Sequence, residues 1–182
     1  MIEVEVKARI DNFEKMEQKL ENLGAIKDKK IYQEDIYFQS PLVDFSKTDE
    51  CLRIRTTFEN ESKKYYITYK GPKMDIKGQT RKEIETSVES NEKCCEIFES
   101  IGFKKASIVK KNRQYYKYEN YIICLDDVEG LEPYMEIEID TKDKNNFKYL
   151  QDKIFELFKR LGVNNGFESK SYLELLYELK DK

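Results

Sequence analysis

Residues able to do chemistry fall on alternating positions of short extended stretches, beginning with Glu3-Val4-Glu5-Val6-Lys7. In a β-strand successive side chains point to opposite faces, so Glu3, Glu5 and Lys7 share one face and Val4 and Val6 the other. The pattern recurs in Arg53 and Arg55 around Ile54, Arg81, Glu83 and Glu85 around Ile84, Lys111 and Arg113 around Asn112, and Glu136 and Glu138 around Ile137. A single such strand reads as an ordinary antiparallel strand with one wet face. The repetition, and the use of arginine where an exposed strand face usually carries Thr, Lys or Glu, points to a built interior. Arginine suits bidentate phosphate binding. An enclosed face holding Glu3, Glu5, Glu136 and Glu138 beside Lys7, Arg53, Arg55, Lys70, Arg81, Lys111 and Arg113 needs counter-charge, because crowded carboxylates raise one another's pKa and crowded cations repel. A divalent cation relieves the first group and a polyanion the second. A metal-bound triphosphate relieves both.

The residue types that are missing narrow the chemistry further. The chain has no histidine, which removes imidazole triads, the commonest general base and the usual transition-metal ligand. Cys51, Cys94, Cys95 and Cys124 show no CxxC spacing and read as reduced structural thiols rather than a zinc site or disulfides. Carboxylates, Lys, Arg and Tyr must do the work. A metal held by such oxygen donors is Mg²⁺ or Mn²⁺. Charged residues make up 38% of the chain, yet the net charge is only -3, a balance that argues against a general nucleic-acid binder. No apolar run approaches the ~20 residues of a membrane span, and the N-terminus lacks a secretion signal. The expectation is a cytoplasmic protein with no membrane partner, whose apolar and tyrosine-rich strand edges allow a homodimer.

The elements that position these residues are also legible. Helical periodicity runs through Phe13, Met16, Leu20 and Leu23, introduced by Asp11 and Glu14 as an acidic capping box and ended by Gly24. It runs again through Cys94, Ile97, Phe98 and Ile101 to Gly102, and through Phe147, Leu150, Ile154, Leu157, Phe158 and Leu161 to Gly162. A short helix is expected over 171–179. Strands are expected over 31–38, 51–59, 64–70, 79–88, 108–118, 121–126 and 135–140, after the N-terminal one. Turns such as Asn60-Glu61-Ser62 and Glu119-Asn120 are of hairpin length and favour antiparallel pairing. At 182 residues the chain fits a single domain spanning 1–182. The element order reads either as two similar halves breaking near 88–91 or as a common α+β pattern met by coincidence. The expected fold is α+β, an eight-stranded antiparallel β-barrel, closed or nearly closed, with helices packed outside and the charged faces lining its lumen.

Taken in order, these residues resemble the CYTH superfamily of triphosphate tunnel metalloenzymes. The resemblance rests on Glu3-x-Glu5-x-Lys7, Gln33-Glu34-Asp35-Ile36-Tyr37-Phe38, Leu52-Arg53-Ile54-Arg55 and Tyr69-Lys70-Gly71-Pro72. Arg81-x-Glu83-x-Glu85, Lys111-Asn112-Arg113, Leu125-Asp126-x-Val128-x-Gly130-Leu131 and Glu136-x-Glu138 complete it. The later part, with Ser171-Tyr172-Leu173-Glu174-Leu175-Leu176, looks most like class IV adenylate cyclases, although Glu132-Pro133 departs from their usual turn. The resemblance implies an eight-stranded tunnel that binds a triphosphate, ATP or tripolyphosphate, together with Mg²⁺ or Mn²⁺. It implies that Glu3, Glu5, Glu136 and Glu138 hold one or two metals, with Asp126 as an additional ligand. Lys7, Arg53, Arg55, Lys70, Arg81, Lys111 and Arg113 grip the phosphates, and Arg55, Lys70 and Lys111 act at the reacting centre. Glu83 and Glu85 are read as salt-bridge partners of tunnel arginines rather than as metal ligands. Three activities remain open: conversion of ATP to cyclic AMP and pyrophosphate, hydrolysis of a triphosphate, or non-catalytic binding of polyphosphate or nucleotide.

Overall fold

A computed structural model describes residues 2–74, 78–143 and 145–180 of the chain. The alternation at the N-terminus forms strand β1 (Ile2–Arg9). Val4, Val6 and Ala8 on its outer face have no solvent exposure, and Glu3, Glu5 and Lys7 face the other way into a cavity. The remaining strands are β2 (Ile26–Gln39), β3 (Cys51–Glu59), β4 (Ser62–Lys73), β5 (Arg81–Val88), β6 (Lys104–Tyr118), β7 (Tyr121–Val128), β8 (Tyr134–Thr141) and the short β9 (Phe167–Glu168). They pair antiparallel in the order β5-β4-β3-β2-β6-β7-β8-β1-β9, and a further β1–β5 pairing closes an eight-stranded barrel.

Closure is confined to the start of β1, where Ile2 lies opposite Lys82 and Glu3 opposite Arg81. The far end of the same edge takes β9, with Lys7 opposite Glu168 and Ala8 opposite Phe167. One strand edge is thus shared by two partners, which leaves few unpaired backbone groups along it. β2 begins at Ile26 and β6 at Lys104, both earlier than the periodicity predicts. These extensions are mostly polar and exposed, so they carry no period-2 apolar signal; each is set instead by pairing with the far end of the other strand, Ile26 opposite Lys117 and Lys104 opposite Gln39.

Helices α1 (Phe13–Leu23), α3 (Asn91–Ser100) and α4 (Phe147–Arg160) pack on the outside. Met16 and Leu20 of α1 and Ile154, Leu157 and Phe158 of α4 join the outer residues of β1, β7 and β8 in one core. Cys95, with Phe98 and Phe103, closes a smaller core over Phe38 and Ile54. The N-cap of α1 is Asn12, whose side-chain oxygen accepts from the Lys15 N–H at 2.8 Å; Asp11, the expected cap, lies one residue too early. The repeated Gly24, Gly102 and Gly162 all adopt positive φ. In each case the next N–H reaches back into the helix at 2.9 Å, from Ala25 to Leu20, Phe103 to Phe98 and Val163 to Phe158, the Schellman closure. Two helices border one mouth of the barrel. They are a single turn, α2 (Phe45–Thr48), which the sequence does not announce, and α5 (Tyr172–Lys180). No helix among the described residues is long and apolar enough to cross a membrane.

Candidate functional site

The barrel interior holds a cavity of about 360 Å³. Its acidic wall follows from the β1–β8 register, which sets Glu5 opposite Glu138 and Lys7 opposite Glu136. Glu3, Glu5 and Glu138 each bring a carboxylate oxygen to within 4.8 Å of the other two. Burial, then the charges of Glu136 and Glu3, pushes Glu5 well above the usual carboxylate range. Burial also raises Glu3, and burial with the nearby Glu3 charge pushes Glu138 up to about 8. Glu136 behaves oppositely: burial favours its acid form, but Arg113, Lys111 and Lys7 outweigh it and hold the group well below its ordinary value. Three converging, under-compensated hard-oxygen donors fit Mg²⁺ or Mn²⁺.

Two of the expected ligands stand apart from this trio. Glu136 is ion-paired with Arg113. Asp126, completely buried, accepts two hydrogen bonds from Arg113, one from Lys111 at 3.3 Å and one from the Tyr172 hydroxyl at 2.8 Å. Lys111 and Arg113 wall the cavity, whereas Asp126 braces them from beside it.

The basic wall is similarly divided. Arg55 is clamped by Asp35 through two hydrogen bonds of 2.6 Å. Lys70 lies between Glu3 at 2.6 Å and Glu83 at 2.7 Å. Burial alone would lower its pKa, but those two carboxylates drive it well above the ordinary lysine value, so it stays an ammonium at neutral pH. Glu83 is correspondingly brought down to about 2, because Lys70 and Arg53 outweigh its burial. Its strongest partner is therefore a lysine rather than an arginine, and Glu85 accepts a hydrogen bond from Thr68 at 2.7 Å.

Arg53 and Arg81 differ from these braced cations. Arg53 reaches Asp35 only at 3.5 Å, and Arg81 makes long contacts of 3.4 Å to the Gly71 carbonyl and 3.5 Å to the Asp49 carbonyl. Both are buried, both wall the cavity, and the Nε of each has no hydrogen-bond partner among the described residues. Lys7, fully buried, donates to the Lys170 carbonyl at 2.5 Å and lies 4.2 Å from the centre of the Tyr172 ring.

Sequence reading left out Asp35 and Tyr172 as members of the site. Asp35 shares the alternating face of Gln33 and Tyr37, yet its role depends on Arg55 standing opposite it, and strand pairing cannot be read from one strand. Tyr172 lies far along the chain on a helix that the period-2 pattern does not reach. At the α2–α5 mouth the cavity is also walled by Phe45, Leu173 and Tyr177.

Known proteins resemble this chain to different degrees. A Methanocaldococcus jannaschii protein provisionally named adenylate cyclase is 42% identical over 176 residues, covering 96% of this chain and 98% of its own. The solved PH1819 protein of Pyrococcus horikoshii superposes with a TM-score of 0.91 at 41% identity, covering 97% of this chain and 98% of that one. A Hippeastrum protein, described as a possible adenylyl cyclase with a dominant triphosphatase activity, shares the fold at 19% identity, with a TM-score of 0.66 over 98% of this chain and 96% of its own. The CYTH domain model matches residues 1–172, and with the closed barrel and its charged interior in place the chain belongs to the CYTH family.

Proposed function

We propose that the chain is a metal-dependent triphosphate-processing enzyme, and that its reaction is conversion of ATP to cyclic AMP and pyrophosphate. The observation that carries this reading is the pair of buried guanidiniums, Arg53 and Arg81, each with an unpartnered Nε, in the same cavity as three converging carboxylates. Buried unsatisfied donors are costly unless a ligand meets them, and planar guanidinium groups match phosphoryl oxygens. The cyclase name of the archaeal relative with 42% identity supports the choice of reaction.

In this reading Arg53 and Arg81 bind non-bridging phosphate oxygens, and Lys7, Lys111 and Lys70 neutralise charge along the chain of phosphates. Arg55 and Arg113, braced by Asp35 and Asp126, hold fixed positive charge where the leaving pyrophosphate develops its negative charge. Such preorganised charge stabilises a phosphoryl-transfer transition state without reorganisation during the reaction. The ribose 3′-oxygen forms a bond to the α-phosphorus, the bond to the pyrophosphate oxygen breaks, and the 3′-hydroxyl proton passes to solvent water. A divalent cation held by Glu3, Glu5 and Glu138 would supply Lewis acidity and charge neutralisation when bound. Lys70, held protonated by Glu3 and Glu83, contributes charge and does not serve as the base.

Hydrolysis of a terminal phosphate is the second reading, supported by the dominant triphosphatase activity ascribed to the Hippeastrum protein of the same fold. It needs the same phosphate and cation shells and substitutes water for the ribose hydroxyl. Incubation with ATP, and separately with tripolyphosphate, each with Mg²⁺ or Mn²⁺, followed by chromatographic separation of products, tests the assignment. Cyclic AMP with pyrophosphate supports the cyclase. Orthophosphate without cyclic AMP replaces it with the triphosphatase, and cation-dependent binding without turnover refutes both in favour of a binding module.

A further inference from the structure

α5 enters the site by its first residue. Ser171 and Glu174 form a reciprocal cap, the Ser171 N–H donating to the Glu174 carboxylate at 2.6 Å and the Glu174 N–H to the Ser171 hydroxyl at 3.3 Å. This fixes the direction in which the helix leaves the barrel and turns Tyr172 inward, where it is 7% exposed among Tyr37, Val109, Val128 and Tyr134. The Tyr134 ring meets it edge-on, with centroids 5.5 Å apart.

From there Tyr172 touches the supports of three tunnel cations. Its ring lies 4.2 Å from the Lys7 ammonium and 5.0 Å from that of Lys111. Its hydroxyl donates to the Asp126 oxygen that Arg113 and Lys111 also use. The preceding Lys170 carbonyl accepts from Lys7 at 2.5 Å. Asp126 is shut off from solvent and is absent from the cavity wall, so its effect on a substrate must pass through Arg113 and Lys111.

We propose that Tyr172 is a positioning residue for phosphate binding: its ring sets the placement of Lys7 and Lys111, and its hydroxyl, through Asp126, sets the orientation of Arg113. The tunnel's grip on a triphosphate then depends on the seating of a helix outside the barrel. A desolvated cation–π contact is strong enough to fix an ammonium. This inference rests on the triphosphate-binding reading above and assigns it a residue that need not touch phosphate.

The test is titration calorimetry of the full chain with tripolyphosphate, and separately with Mn²⁺, for the unmodified protein, Y172F and Y172L. Y172L should weaken tripolyphosphate binding about 10-fold or more, by loss of both ring contacts. Y172F keeps the ring and loses only the bond to Asp126, and should weaken it about threefold. Mn²⁺ affinity, set by Glu3, Glu5 and Glu138, should stay unchanged in both. A folded Y172L that binds tripolyphosphate as tightly as the unmodified chain overturns the proposal, because a purely structural role lowers the melting temperature without altering affinity in the folded state. If Y172L does not fold, Y172F decides alone, and unaltered binding there is equally fatal. An unmodified chain that takes up Mn²⁺ but no tripolyphosphate overturns the triphosphate reading itself.

Discussion

Arg55 on β3 stands directly opposite Asp35 on β2, and the two side chains meet through a pair of 2.6 Å hydrogen bonds. Arg113 on β6 and Asp126 on β7 repeat the relationship, with the acid now on the later strand. Each carboxylate fixes the plane of a guanidinium before any ligand arrives. Removing one partner of a buried pair leaves an uncompensated charge, which costs about 3–5 kcal/mol. Asp35→Asn should therefore destabilise the chain by roughly 3 kcal/mol in urea unfolding. Burial favours protonated Asp35, but Arg55 and Arg53 outweigh it and depress its pKa. Its share of stability is thus present above the unfolded carboxylate pKa of about 3.9 and lost as pH falls below it. A D35N variant whose stability matches the parent's at pH 7 would refute the bracing role.

Arg53 and Arg81 should respond differently. Their weak protein contacts, at 3.4 Å or longer, mean that truncation removes little native-state bonding, whereas a charge-assisted bond to phosphate contributes about 1.5–3 kcal/mol. Arg53→Ala and Arg81→Ala should each raise KM or lower kcat for a triphosphate by about 10- to 100-fold, with a smaller loss of stability than Arg55→Ala. Steady-state kinetics beside a Lys47→Ala control, whose side chain is 83% exposed, would check this. Effects no larger than the control's would mean that these arginines do not meet substrate.

This division of labour marks the limit of what the sequence discloses. Glu3, Glu5, Lys7, Arg53 and Arg55 announce an interior face because a strand's period of two is local, and the barrel with outer helices follows from it. Whether a given arginine is braced or available depends on its neighbour across the sheet. Asp35 opposite Arg55 and Asp126 opposite Arg113 are register facts, set by turns and closure rather than by either strand. The one-turn α2 and the two-residue β9 are too short to show periodicity. Tyr172 is placed by the seating of α5: the Ser171-x-x-Glu174 cap marks locally where that helix starts, but the face of the barrel it packs on is a tertiary relationship.

The acidic trio predicts an inverted pH dependence. Glu138, ordinarily near 4.5, is pushed up to about 8 by burial and by the Glu3 charge. Between those values the folded chain binds more protons than the unfolded chain, so its stability falls as pH rises. A cation held by Glu3, Glu5 and Glu138 competes with those protons. Thermal melts without cation should therefore show a lower Tm at pH 8 than at pH 6, and added Mg²⁺ or Mn²⁺ should raise Tm more at pH 8. Glu138→Gln should flatten both trends. Identical cation-induced shifts at the two pH values would count against the trio as the binding site.

β1 carries Glu3, Glu5 and Lys7 on one face and rests on α4 with the other, so the placement of the acidic trio depends on packing outside the barrel. Phe158 of α4 is completely buried in the core that includes Val4 and Val6, and its ring meets Phe167 edge-on with centroids 5.3 Å apart. Phe158→Ala leaves a cavity behind β1 and should cost about 3–5 kcal/mol of stability. Phe167 begins β9, which holds the far end of β1 at Ala8 and Lys7, so the loosened edge should also weaken triphosphate binding through Lys7. Glu3 and Glu5 lie toward the end closed by β5 and should keep their cation affinity. Parallel calorimetry with Mn²⁺ and tripolyphosphate, at a temperature where the variant remains folded, separates these effects. Equal loss of both ligands would instead mean that β1 shifts as a whole.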